Sequence, residues 1–365
     1  MEEVEDYELN TVTYGLACAP FLAMRSLQQL TIDEGIQYPE GSVSLRQDTY
    51  MDDILTGASS LKDAQELRRQ LTELCRAGGF PLRKWSSNHV EILEGVPAEH
   101  RLQRDLRSWQ PHESHATLGL QWHPSIDAFS YATPVVEIQT ITKRAVLSLT
   151  ARLFDPLGWL APVVVRAKIL FQSTWLMGVD WDTPLDERNS QLWEDFRRDL
   201  PQLSEIRVPR YVPTHGPQSV SVKWHGFADA SERAYAAVIY LLTTTGTKEN
   251  QVSLIAAKTK VAPIKQVTLP RLELCAATLL VRLMDHVRPM IAREAPVHLW
   301  TDSTVALQWI QGHPSRWKMY VANRVSEIQT TLPGATWHHL PGIDNPADCA
   351  SRGISPSELV AHPLW

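Results

Sequence analysis

Hydrophobic and polar positions change period along the chain, and the change is clearest in the last third. Val220–Ala228, Ala234–Leu242 and Val252–Ala257 are strand-like runs rich in β-branched and aromatic residues. A helix opened by Pro270 follows, with Leu272, Ala276, Leu279 and Leu283 on one apolar face. Val297–Trp300 predicts a strand, Thr304–Gln311 and Trp317–Thr330 predict helices, and Thr336–Leu340 predicts a final strand. This order predicts an α/β layer, a mixed sheet with flanking helices. The first third reads α+β instead. Val43–Tyr50 and Ile54–Thr56 predict two strands around a tight Met51-Asp52-Asp53 turn. Ser59 or Ser60 then caps a helix carrying Leu61, Ala64, Leu67, Leu71 and Leu74 at helical spacing, and Gly78-Gly79 stops it.

Composition narrows the class. The chain of 365 residues, 44% hydrophobic and 21% charged, is long enough for two or three domains and too apolar for wholesale disorder. Its longest apolar run, Ala234 to Leu242, falls far short of the roughly 20 residues of a membrane helix. Met1 is followed by Glu2, Glu3, Glu5 and Asp6, unlike a signal peptide. The four cysteines include no C-x-x-C pair, which suits a reducing compartment. The expectation is a soluble intracellular protein, with no membrane partner. Net charge is −6, with two basic and eleven acidic side chains in residues 1–60 and a small basic excess beyond 216. Whole-chain charge thus gives no sign of nucleic-acid binding, which has to rest on local chemistry. Arg207–Gln218, with three prolines and a glycine, reads as a linker, and a weaker break lies between Pro97 and Pro111. The expected domains are 1–105, 106–215 and 216–365. Seven of thirteen tryptophans lie between Trp85 and Trp193, suited to core packing or to stacking on bases.

Four acids stand out after residue 216. Asp229 ends an apolar strand, and Glu273 sits in the first turns of the helix after Pro270. Asp302 follows strand Val297–Trp300, and Asp348 lies at a helix start with Asn345 as N-cap and Pro346 at N1. Neighbouring strands would bring Asp229 and Asp302 together, and converging acids repel unless cations lie between them. Oxygen ligands of this kind favour Mg²⁺, and two such ions about 3.5–4 Å apart activate water and stabilise the leaving oxygen of a phosphodiester. Each acid alone also has a bland role: Asp302 as a helix cap, Asp348 as a complement to a helix dipole, Glu273 as a solvated helix residue.

Together, FADASERAYAAVIYL, LPRLELCAATLL, LWTDSTVALQWI and NPADCASRG resemble the four acidic motifs of a ribonuclease H domain, in the wording of BEL/Pao-type LTR retrotransposon Pol polyproteins. TVTYGLACAPFLAMRSL (11–27) resembles a reverse-transcriptase motif, TYMDDILTG (49–57) its catalytic hairpin, and GGFPLRKWSSN (78–88) its primer grip. TLGLQWHP (117–124) and residues 142–172 are similar to the family's thumb and connection region. The resemblance covers nearly the whole chain. It implies a truncated reverse-transcriptase palm with a YMDD hairpin over 1–105, a thumb and connection region over 106–215, and an RNase H-like domain over 216–365.

Carried over, the resemblance makes Asp229 the ligand that bridges two metals, Mg²⁺ or Mn²⁺, with Glu273 and Asp302 on one and Asp348 on the other. Asp52 and Asp53 become metal ligands of the polymerase site. The upstream polymerase aspartate would lie before Met1, and the fingers, protease and integrase would be absent. The implied partners are an RNA·DNA hybrid and primer–template nucleic acid, and the implied setting is cytoplasmic, in a virus-like particle, or nuclear. Arg83, Lys84 and Trp85 fit a strand that meets the primer backbone, and Arg316, Trp317 and Lys318 fit the substrate side of the ribonuclease domain. Arg101, Arg104 and Arg107 form a basic helix face or a solvated one. The chain departs from retroviral relatives in the loop Leu340–Asp344, which lacks a histidine; His338 and His339 lie earlier, on the last strand. The sequence reading is RNA-strand hydrolysis beside an incomplete polymerase, or else a catalytically inactive remnant that at most binds nucleic acid.

Overall fold

The computed structural model describes residues 12–13, 15–102, 115–117, 120–132, 140–214, 220–246 and 249–365. They divide into two compact units, one of the residues up to 102 with Pro124–Ile126, the other of the remainder.

The first unit is built on three helices, α1 (Ala19–Asp33), α2 (Pro39–Gln47) and α3 (Leu61–Ala77). Ser60 caps α3 by accepting from Asp63 N, and the predicted stripe of Leu67, Leu71 and Leu74 is buried against Leu30 of α1 and Leu45 of α2. A hairpin of β1 (Thr49–Tyr50) and β2 (Asp53–Ile54) lies between α2 and α3, and a single turn, α4 (Val90–Leu93), follows them. Val43–Gln47, expected as strand, is helical. Pro39 fits the first turn of α2, and Gln70 Oε1 accepts from Glu40 N and Gly41 N at 2.9 and 3.1 Å. That tertiary cap stabilises a helix whose local alternation of Val43 and Leu45 imitates a strand.

In the second unit, β3 (His115–Thr117), β4 (Leu120–His123), β5 (Ala128–Ser130) and β6 (Val208–Pro209) make an antiparallel sheet in chain order. Between β5 and β6 run α5 (Lys143–Arg152), α6 (Ala161–Leu176) and α7 (Glu187–Asp199), which bury Leu149, Leu160, Val163 and Trp193. The expected linker is therefore partly structured. Val208 and Pro209 pair with β5, and Asp127 clamps the Arg210 guanidinium at 2.6 and 2.9 Å. Trp159 and Trp193 are core residues, whereas Trp109 lies outside the described residues.

The larger sheet follows the predicted series closely. It comprises β7 (Ser221–Ala230), β8 (Ala234–Thr244), β9 (Asn250–Val261), β10 (Val297–Thr301) and β11 (Thr336–His339). Spatial order is β11-β10-β7-β8-β9, with β10 parallel to both neighbours and β7-β8-β9 antiparallel, a mixed sheet as expected. The long helix α8 (Leu269–Ile291) covers one face with Leu272, Ala276, Leu280 and Met284, joined by α9 (Thr304–Gln311) and α10 (Met319–Thr331). The other face meets α6 and α11 (Ala347–Arg352), where Ala161, Val238, Tyr240, Ala257 and Ala347 cluster. Ser355 and Glu358 form a capping box at the start of α12 (Pro356–Val360). Among the described residues no helix is long and apolar enough to cross a membrane.

Candidate active site

Parallel pairing fixes where the first two acids meet. Thr301 of β10 is registered with Ala228 of β7, so Asp302 and Asp229 leave their strands at the same sheet end. Asp229, 4% exposed, has its Oδ2 bonded by the Ser351 hydroxyl of α11. Glu273, 9% exposed, projects from the second turn of α8, the helix packed on β7 and β8. Asp348 sits in the first turn of α11, where Arg352 Nε donates to its Oδ1 at 2.5 Å. Asn345 steadies this turn by accepting from Ala347 N and donating to the Ala228 carbonyl, both at 3.1 Å.

Burial dominates the electrostatics. It pushes the Asp229 carboxyl up to about 7, and repulsion from Asp302 and Asp348 adds to the rise. Glu273 rises to about 8, again by burial first and then by repulsion from Asp302 and Asp229. Asp302 is raised by burial and by Asp348. Glu273 Oε2 and Asp302 Oδ1 are buried without a hydrogen-bond partner. Buried acceptors without donors, in a cluster that resists ionisation, fit an oxygen-preferring cation. As the side chains stand, however, no group of three His, Cys, Asp or Glu among the described residues is arranged to hold a metal ion. Asp229 is turned to Ser351 and Asp348 to Arg352.

The other sequence candidates are spread more widely. Asp52 and Asp53 are exposed at the β1–β2 hairpin, in the first unit, with Met51 at φ 55°. The hairpin pairs only Thr49 with Ile54 and Tyr50 with Asp53. Arg83, Lys84 and Trp85 form no strand. Lys84 has φ 57°, and only a bridge between Trp85 and Arg101 forms. Left-handed backbone at Lys84 breaks the pleat, and Trp85 packs on the helical core instead. Arg83 and Lys84 stay exposed. Arg316, Trp317 and Lys318 lie between α9 and α10: Trp317 packs on the core and donates to the Trp309 carbonyl at 3.2 Å, while Arg316 and Lys318 are exposed. Arg104 and Arg107 lie outside the described residues.

His338 lies on β11 and hydrogen-bonds His298 at 3.2 Å, stacked on Trp300. His339 Nε2 reaches the Asp302 carbonyl at 3.1 Å. The residues that sequence reasoning passed over are Ser351 and Arg352. Their spacing of three and four from Asp348 puts them on the same helix face, a signal present in the motif itself.

Residues 142–303 match the family model of the Pao retrotransposon-like RNaseH-like domain. No curated protein matches the chain. Among solved structures, the chain is similar to the foamy viral protease-reverse transcriptase in complex with dsDNA, at 12% identity and a TM-score of 0.48. That match covers 90% of this chain and 60% of the viral one. It is also similar to RNase H1 from the halophilic archaeon Halobacterium salinarum, at 13% identity and a TM-score of 0.24, over 34% of this chain and 90% of that one. LC11-RNase H1 in complex with RNA/DNA hybrid matches at 13% identity and a TM-score of 0.25, over 34% and 89%. The motifs and the family model agree: over residues 142–303 the chain carries a match to the Pao retrotransposon-like RNaseH-like domain.

Proposed function

We propose that this chain hydrolyses the RNA strand of RNA·DNA hybrids at Asp229, Glu273, Asp302 and Asp348, with two divalent cations, Mg²⁺ or Mn²⁺, as cofactors. The observation that carries the reading is the pair of buried, unpartnered oxygens, Glu273 Oε2 and Asp302 Oδ1, at the sheet end that also bears Asp229. Bound there, the cations would activate water and stabilise the leaving oxygen. Asp229 would bridge them, Glu273 and Asp302 would hold one, and Asp348 the other. The protein's own groups prepare this arrangement. Ser351 holds the Asp229 carboxyl, and His339 ties down the Asp302 backbone. Protons have to leave Asp229 and Glu273 for the cluster to ionise, because burial raises both, Asp229 to about 7 and Glu273 to about 8. Arg352 takes up Oδ1 of Asp348, so a cation would bind through Oδ2 unless the pair opens. Discrimination of RNA would come through its 2′-hydroxyls. The setting would be cytoplasmic, in a virus-like particle, or nuclear.

The polymerase part reads as incomplete within this sequence. Asp52 and Asp53 come from one chain segment, whereas a two-ion site of this chemistry needs carboxylates from two. Asp33 and Asp48, the described aspartates before the hairpin, are engaged by Gln29 and Ser44.

The Arg352–Asp348 pair and the Ser351–Asp229 bond favour a second reading, a silent remnant that binds nucleic acid without cutting it. A quenched fluorescent hybrid, assayed with Mg²⁺, Mn²⁺ or EDTA, separates the two. Metal-dependent cleavage lost in Asp229→Asn supports the first. Tight hybrid binding with no cleavage under any metal supports the second. Duplex DNA and single strands run alongside report substrate class.

A further inference from the structure

Helices α6 and α7 and the end of α11 border a second pocket, of about 650 Å³, which is also lined by Arg352, the partner of Asp348. Four guanidinium groups line it: Arg166 of α6, Arg188 of α7, Arg233 of the β7–β8 turn, and Arg352. One carboxylate, Glu358, also lines it, but its Oε2 accepts from Ser355 N and Ser355 Oγ, both at 2.7 Å. Arg352 is held by Asp348. Arg166, Arg188 and Arg233 make no side-chain hydrogen bond or ion pair with any described residue. The turn after α11 fixes one of them closely. Gly353 has φ 81°, and a Cβ there would lie 2.6 Å from Arg166 Cγ, so backbone rests directly on the arginine stem.

Arg166, Arg188 and Arg233, beside the single carboxylate of Glu358, leave the pocket with an excess of positive charge that does little for the free fold. They suit an anion that accepts paired N–H donors, and guanidinium groups match phosphate in that way. We infer that this pocket holds a backbone phosphate of the nucleic-acid strand passing Asp348, a ligand identity that rests on the hybrid-cleaving reading.

The full chain is titrated with a fluorescein-labelled RNA·DNA hybrid in EDTA, by anisotropy, from 50 to 200 mM KCl. Arg188→Ala/Arg233→Ala should flatten the slope of log affinity against log salt by about one, at ~0.9 for the one lost phosphate contact. Affinity would then fall about three- to fourfold less than wild type across that range. Arg188 and Arg233 are both exposed, so loss of the fold is not expected. Arg188→Lys/Arg233→Lys should keep most of the slope, and Arg293→Ala, at an exposed site, should leave it unchanged. An alanine double variant with the slope of Arg293→Ala, or a wild type that binds no hybrid, overturns the inference. A melting shift with inorganic phosphate alone, without any slope change, assigns the pocket to free phosphate and overturns the strand assignment. The cleavage assay keeps the two readings apart. A slope change without any cleavage leaves the pocket standing and removes the catalytic reading; cleavage lost in Asp229→Asn with an unchanged slope removes the pocket alone.

Discussion

Replacing Asp229 by asparagine should cost activity and stabilise the metal-free fold above neutral pH. Burial and two neighbouring acids raise this carboxyl from 3.8 to about 7. A carboxyl raised in the folded state binds more protons there than in the unfolded chain. Its contribution is therefore fully present below about pH 4 and is lost as pH climbs through 7. At about 1.36 kcal/mol per pH unit, the interval corresponds to ~4 kcal/mol against the ionised side chain. Asparagine keeps an acceptor for the Ser351 hydroxyl and carries no charge. Urea unfolding in EDTA at pH 8 should find Asp229→Asn more stable than wild type by about 2–4 kcal/mol. At pH 4 the two should agree within about 1 kcal/mol, because protonated aspartate and asparagine are nearly isosteric. Millimolar Mg²⁺ at pH 8 should narrow the gap by stabilising wild type only. Hybrid cleavage should fall roughly a thousandfold, the equivalent of ~4 kcal/mol of lost transition-state stabilisation. A variant less stable than wild type at pH 8, or a gap that is the same at pH 4 and pH 8, refutes the reasoning.

Gly158→Ala should destabilise the second unit by about 2–3 kcal/mol in urea, from left-handed strain plus a lost hydrogen bond. Gly158 has φ 77°, and a Cβ there would collide with the Ala257 carbonyl of β9; an unchanged midpoint would show that this contact does not form. Gln70→Leu should cost about 1–3 kcal/mol, because the Glu40 and Gly41 N–H groups lose their acceptor, and Gln70→Glu should not restore it, because the new carboxylate would face Glu66 Oε1, which accepts from Gln70 Nε2 at 2.9 Å. Primer extension on an RNA template should show no incorporation above an Asp52→Asn/Asp53→Asn control; clear incorporation that the control abolishes would mean another acid completes that site.

The C-terminal sheet was legible because each strand there alternates or runs apolar over a length only a strand uses, bounded by clear turns. Thr304–Gln311 was predicted to the residue, since Ser303 caps it by accepting from Ala306 N and Gly312 ends it. The four acids were legible as motifs, and the register of β7 and β10 explains why Asp229 and Asp302 share one sheet end. What failed to show was whatever depends on a distant partner. Val43–Gln47 reads as strand until Gln70, far along the chain, meets the start of α2. Trp85 reads as part of a nucleic-acid contact until the packing of α1 and α3 claims its ring. The pocket arginines are scattered between residues 166 and 352, with no spacing to link them.

The segment from Leu157 to Leu176 carries the remaining step, because it closes the sheet that bears the candidate site. β9 is an edge strand, and an exposed edge offers unpaired N–H and C=O groups to other chains. Three groups of this segment cover it: the Leu157 carbonyl accepts from Ala257 N at 2.8 Å, Trp159 Nε1 donates to Ile255 O at 3.1 Å, and Gln172 Nε2 donates to Ala262 O at 2.7 Å. The same helix lays Ala161 against Val238, Ala257 and Ala347 on the face opposite α8. Trp365 Nε1 then bonds the Trp159 carbonyl at 2.7 Å, and the Tyr240 hydroxyl bonds Leu364 O at 2.9 Å, tying the last residues to the same seam. Ala347 stands next to Asp348, so α11 is held from both sides, by the sheet and by α6. Precision at Asp348 therefore depends on a helix that contributes no carboxylate. The match of the family model across residues 142–303 takes in α6 together with Asp229, Glu273 and Asp302.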